Sequence, residues 1–241
     1  MKLRLLTKVF LSFALSAVFL SPALSVEEFV FIDLKPYANA KIVDTQWWTG
    51  MAGASDLEEL LEIAEDGHEF EGPGGEPVQF KVEDANLRIF GTNAAANPKS
   101  VEGIEVGMAA ETLYFLHMTG WEQVGMPSYK FVMNYEGGSS EELLMESHIN
   151  SDDWCHIPAT LPDENSAQIW TESGATCGIV SVIATTWENP YPGKRIQTID
   201  FISLDTAAVP GLFAITLGGA TAAVSPGGKL TATWASLKAG V

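Results

Sequence analysis

Short runs of β-branched and aromatic residues recur along most of this chain, each cut off within a few residues by glycine, proline, asparagine or aspartate. That punctuation leaves little room for helices, which need apolar spacing sustained over ten or so residues. Val78, Phe80 and Val82 alternate with Gln79, Lys81 and Glu83, the two-residue period of a strand with one buried face. Tyr129, Phe131, Met133 and Tyr135 repeat the pattern, Gly137-Gly138 then turns the chain, and Glu141 to Met145 is the expected hairpin partner. Leu113 to Met118 is apolar on both faces, as a central strand would be. Phe29 to Leu34, Leu87 to Phe90, Ile179 to Trp187, Ile196 to Leu204 and Leu212 to Leu217 complete the series. At least eight strands with turn signals at these spacings predict an all-β fold, a single antiparallel β-sandwich over residues 26–217.

Helix is scarce. Ser55 and Glu58 have the spacing of a capping box, Leu57, Leu60, Leu61 and Ala64 fall on one face, and Gly67 follows. One short helix, Asp56 to Glu65 at most, is expected inside a crossover. Gly218 to Ala223 reads as a small-residue linker to a C-terminal tail, in which Leu230, Trp234 and Leu237 after Pro226 have the spacing of a weak amphipathic helix. That stripe leaves two readings open: a tail packed back on the sandwich, or a detachable recognition element.

The first 25 residues have the layout of a secretory signal peptide. Lys2, Arg4 and Lys8 precede an apolar stretch from Val9 to Leu20, Pro22 breaks it, and Ala23-Leu24-Ser25 offers a small-residue cleavage site. A secreted or periplasmic location is therefore expected, and no other run is long and apolar enough to span a bilayer. With 13 basic against 31 acidic side chains and a net charge of -18, the chain is poorly suited to nucleic-acid backbones or anionic membranes. Cys155 and Cys177 are the only cysteines; in an exported protein they are expected to pair, the other reading being two buried thiols.

The order of several segments resembles the galactose-binding-like (jelly-roll) β-sandwich domains of secreted bacterial carbohydrate-binding modules. The segments are Phe31-Ile32-Asp33-Leu34-Lys35-Pro36-Tyr37-Ala38-Asn39, Leu113 to Trp121, Tyr135-Glu136-Gly137-Gly138-Ser139 and Asp153-Trp154, followed by Trp187-Glu188-Asn189-Pro190-Tyr191-Pro192, Ile199-Asp200-Phe201 and Ala214 to Leu217. The resemblance covers most of residues 29–217. It implies a β-sandwich and suggests glycan binding, with fold alone not fixing function. One departure stands out: where the family carries a second aromatic in its middle loop, this chain reads Asp152-Asp153-Trp154-Cys155-His156.

Sugars are held by aromatic faces against the C–H face of the ring and by planar polar groups on the hydroxyls. Several tryptophans, Trp47, Trp48, Trp121 and Trp187, lie beside turn residues. Trp121 and Trp187 end long strands and are expected to plug the sandwich. Trp48 and Trp154 are the aromatic candidates, with Asn150, Asp152 and Asp153 as hydroxyl partners. Acidic stretches at Glu141-Glu142, Asp152-Asp153 and Asp163-Glu164-Asn165 leave a structural calcium open, although none forms an ordered ligand loop. His148, Asp152, Asp153, Cys155 and His156 fall within nine residues, but their spacing fits no zinc pattern and Cys155 has a competing use. His117, inside an apolar run, reads as a satisfied core histidine.

No nucleophile elbow, zincin motif or phosphate-binding loop occurs. The expected function is a secreted, non-catalytic carbohydrate-binding domain without a cofactor, its partner a glycan or polysaccharide. Two competing readings are an extracellular protein-interaction or structural module and a small glycoside-active enzyme.

Overall fold

The computed structural model describes residues 29–53, 55–155 and 161–221. The expected signal peptide, His156 and the expected tail helix lie outside the described residues. Twelve strands form: β1 (Val30–Phe31), β2 (His68–Glu71), β3 (Pro77–Phe80), β4 (Leu87–Arg88), β5 (Ser100–Met108), β6 (Thr112–Gly120), β7 (Pro127–Tyr135), β8 (Ser140–Glu146), β9 (Ser166–Glu172), β10 (Val180–Glu188), β11 (Ile196–Ser203) and β12 (Val209–Gly218). One sheet runs β1-β12-β6-β10-β9, with β4 also paired to β12; the other runs β5-β11-β7-β8; β2 and β3 make a separate hairpin. Every strand pair is antiparallel. The fold is an all-β sandwich, consistent with a jelly roll.

The apolar period of each strand sets its layer. On β6, Leu113 and Phe115 point between the two sheets, where they meet Phe131, Met133, Tyr135, Ile199 and Phe201. Phe131 stacks between Phe115 and Phe201, with ring centroids at 4.2 and 5.2 Å. Leu116 and Met118, one residue out of phase, face the other way into a second core. That core is covered by helix α1 (Glu58–Ala64), through Leu57, Leu60, Leu61 and Ala64, and by the β2–β3 hairpin, through Phe70, Val78 and Phe80. The six-stranded sheet is therefore buried on both faces, which is why β6, β10 and β12 read as apolar throughout. Along β12 a register shift between Leu212 and Ala214 hands Leu212 and Ile215 to one core and Phe213 and Ala214 to the other. Trp47 is wholly buried in the outer core, edge-on to Trp48, Trp154 and Phe213. A Cβ on Gly211 would stand 2.5 Å from its ring, so only glycine lets β12 pass.

The structure refines three of these spans. Helix α1 falls inside the expected bounds of Asp56 to Glu65: Leu57 is the N-cap residue, the Ser55 hydroxyl accepts from the Leu57 N–H at 3.3 Å, and Glu58 reaches back to the Ser55 N–H at 3.4 Å. The Phe29–Leu34 run shrinks to the two residues of β1. Within the expected linker, Gly218 completes β12 and Thr221 exchanges two backbone hydrogen bonds with Ala109, at 2.9 and 3.3 Å.

Candidate functional site

At the end of the sandwich where β6 finishes, the chain segment 152–154 runs alongside it. The Thr119 N–H donates to the Asp152 carbonyl at 3.1 Å and the Trp154 N–H to the Thr119 carbonyl at 2.8 Å. This pairing sets Trp154 beside the residue that follows β6, Trp121. Trp121 turns with φ 53°, and its N–H donates to Asp153 Oδ2 at 2.7 Å. The other oxygen of Asp153 takes the Cys155 N–H at 2.9 Å. Cys155 and Cys177 form a disulfide, with Cα atoms 5.1 Å apart, so the reading as free thiols falls. Together Trp48, Trp121, Asp153, Trp154, Thr176 and the disulfide line a surface hollow of about 210 Å³.

The tryptophans exchange the places expected of them. Trp48 and Trp154 are 6% and 4% exposed, and their rings pack together at 4.4 Å as the floor of the hollow. Trp121, expected as a plug, is 43% exposed at its mouth. The reason is local: Trp48 and Trp154 can reach Trp47 and the outer core, whereas the left-handed turn at Trp121 carries its ring off the sheet. Trp187 is half-buried against the inter-sheet core, as a plug should be.

Two of the expected hydroxyl partners are already used inside the protein. Asn150 accepts the Glu146 N–H at 2.7 Å and donates to the Leu144 carbonyl at 3.0 Å. Asp152 is buried, and its Oδ1 takes the Asp153 N–H at 2.8 Å. Only Asp153 of the three borders the hollow.

Behind this wall lies a polar cluster that sequence spacing did not reveal. Glu122, next to Trp121, comes within 2.6 Å of His148 Nε2 through its Oε1 and accepts the Ser147 hydroxyl at 2.6 Å through its Oε2. Asp152 Oδ1 stands 3.8 Å from the same imidazole nitrogen. Burial, followed by the neighbouring Asp152 carboxyl, pushes Glu122 up to about 8, against the Ser147 hydrogen bond. Of the five residues whose spacing fits no zinc pattern, Asp153 braces Trp121, Cys155 is bridged to Cys177, His156 lies outside the described residues, and the side chain that joins His148 and Asp152 comes from the β6–β7 loop. No short motif could have announced Glu122, because 26 residues separate it from His148 and only the topology joins them.

Deeper still, His117 bridges the Tyr129 hydroxyl at 2.6 Å and the Thr185 hydroxyl at 2.8 Å, and Tyr129 lies 3.1 Å from the Ser151 hydroxyl. It is the satisfied core histidine that its surroundings implied. Among the described residues, no helix is long and apolar enough to cross a membrane. No protein-family model, curated protein or solved structure matches the chain.

Proposed function

We propose that the protein is an exported, non-catalytic carbohydrate-binding domain of the galactose-binding-like class, and that it holds a glycan in the tryptophan-lined hollow. The observation that carries this reading is the exposed face of Trp121 above a floor of Trp48 and Trp154, with the Asp153 carboxylate at the rim. An indole face presents a flat apolar surface to the C–H face of a pyranose, and each Asp153 oxygen, which already takes one backbone N–H, keeps a second lone pair for a hydroxyl hydrogen. The disulfide fits the oxidising compartment to which the N-terminal segment would send the chain.

A second reading has its own support. Val124 and Met126 follow Trp121 on the same loop, 72% and 45% exposed, and an apolar tip of this kind also suits a protein partner. A glycan array with affinity electrophoresis separates the two. Trp121→Ala should weaken binding to the retained glycan several-fold, since stacking on an aromatic ring contributes about 1 kcal/mol, and should leave melting nearly unchanged. Trp154→Ala should instead destabilise the fold by about 3–5 kcal/mol, because its ring is core. Retention of no glycan, or binding untouched by Trp121→Ala, would move the function to the protein-interaction reading.

A further inference from the structure

We propose that Glu122, His148 and Asp152 form a binding site for one divalent transition-metal ion of the zinc class. Their three donor atoms, one imidazole nitrogen and two carboxylate oxygens, all lie within 4.8 Å of one another. The Nε2-to-oxygen separations of 2.6 and 3.8 Å bracket the roughly 3.3 Å edge between neighbouring donors on a tetrahedral zinc with bonds of about 2.0 Å. Each of these two separations lies within about 1 Å of that edge.

Charge argues in the same direction. The side chains of Glu122 and Asp152 are only 7% and 2% exposed, and two carboxylates this close and this dry repel unless a proton or a cation lies between them. His148 is 40% exposed, so the site is closed on its carboxylate side and more open on its imidazole side.

The donors are also held from behind, as metal ligands are. Ser147 donates to Glu122, the Asp153 N–H donates to Asp152, and the His148 N–H donates to the Ser151 carbonyl at 2.8 Å. The His148 backbone sits at φ 64°, in the left-handed region that non-glycine residues seldom adopt, and its Nε2 meets both carboxyls. The donor set selects the metal. Calcium takes six to eight oxygens, whereas one imidazole with two carboxylates suits zinc and its neighbours.

An ion here would clamp two segments that also build the aromatic hollow, since Glu122 follows Trp121 and Asp152 precedes Asp153-Trp154. The site does not depend on what the hollow binds. The test is calorimetric titration of EDTA-treated full-length protein with zinc chloride, with calcium and magnesium chloride in parallel, alongside melting curves. The expected result is one equivalent of zinc bound at micromolar or lower concentration, a raised Tm, and much weaker binding of the other two ions. His148→Ala, at a partly exposed position, should keep the circular dichroism spectrum and lose at least tenfold in zinc affinity; Glu122→Gln should do the same with the side-chain volume preserved. Absence of zinc binding, zinc held equally well by both variants, or calcium bound with equal strength and no dependence on His148 would each overturn the proposal.

Discussion

His117 shows what burial does to a single side chain. It is wholly buried between the sheets, and desolvation drives its pKa down to about 3, so the ring is neutral and shares its two nitrogens with Tyr129 and Thr185. In the unfolded chain the same ring titrates near 6.5. A depressed folded pKa means that the unfolded state takes up the proton first. Stability is therefore full above about pH 6.5 and falls as pH drops toward 3, by about 1.4 kcal/mol per pH unit from this group. His117→Gln should flatten the decline of the urea midpoint between pH 6 and 4; an unchanged slope would mean that carboxylates alone set the acid response. The place of His117 was legible because apolar neighbours flank it on both sides. The tryptophans were less so, since a residue beside a turn can point inward, as Trp48 and Trp154 do, or outward, as Trp121 does. Neighbours in sequence do not decide that direction; the partner across the fold does.

At the scale of elements, legibility followed burial. Strands with a filled face announced themselves: β7 lies at its expected place, its hairpin to β8 turns at Gly137-Gly138, and β6 and β10 keep nearly the bounds their apolar runs implied. β5 did not, because as an edge strand it buries Ile104 alone and carries Glu102, Gly103, Glu105 and Gly107 between its apolar residues. β9, at the edge of the other sheet, and β2, with Phe70 as its one buried side chain, were hidden for the same reason. The loop before β10 is fixed twice. The disulfide spans 22 residues of sequence, and the Asp56 carboxylate accepts the Ala175 and Thr176 N–H groups at 3.0 and 2.7 Å. Replacing both cysteines by serine should cost about 3 kcal/mol in urea unfolding through the greater freedom of the unfolded chain. A loss below about 1 kcal/mol would show that Asp56 and the packing around Trp154 already hold this loop. Asp56→Ala in the serine background would then produce the larger drop.

At the scale of the whole molecule, the sandwich was anticipated as two layers, and the structure has three. The short helix was expected inside a crossover and only the β3 strand of the hairpin was legible, yet helix and hairpin together cover the outer face of the six-stranded sheet. That sheet belongs to both cores at once. Leu113 and Phe115 fill one while Leu116 and Met118, on the same strand, fill the other, so β6 cannot leave either core without opening both. The two cores should therefore unfold as one unit, with calorimetric and van't Hoff enthalpies in agreement. Leu60→Ala, which opens a cavity under the helix, should destabilise by about 2–5 kcal/mol, and Phe131→Ala, between the sheets, by about 3–5 kcal/mol. Each should lower the same single calorimetric peak. If Leu60→Ala instead splits off a separate low-temperature transition while the main peak stays in place, the helix and hairpin are an independently melting cover, and the shared sheet does not couple the cores.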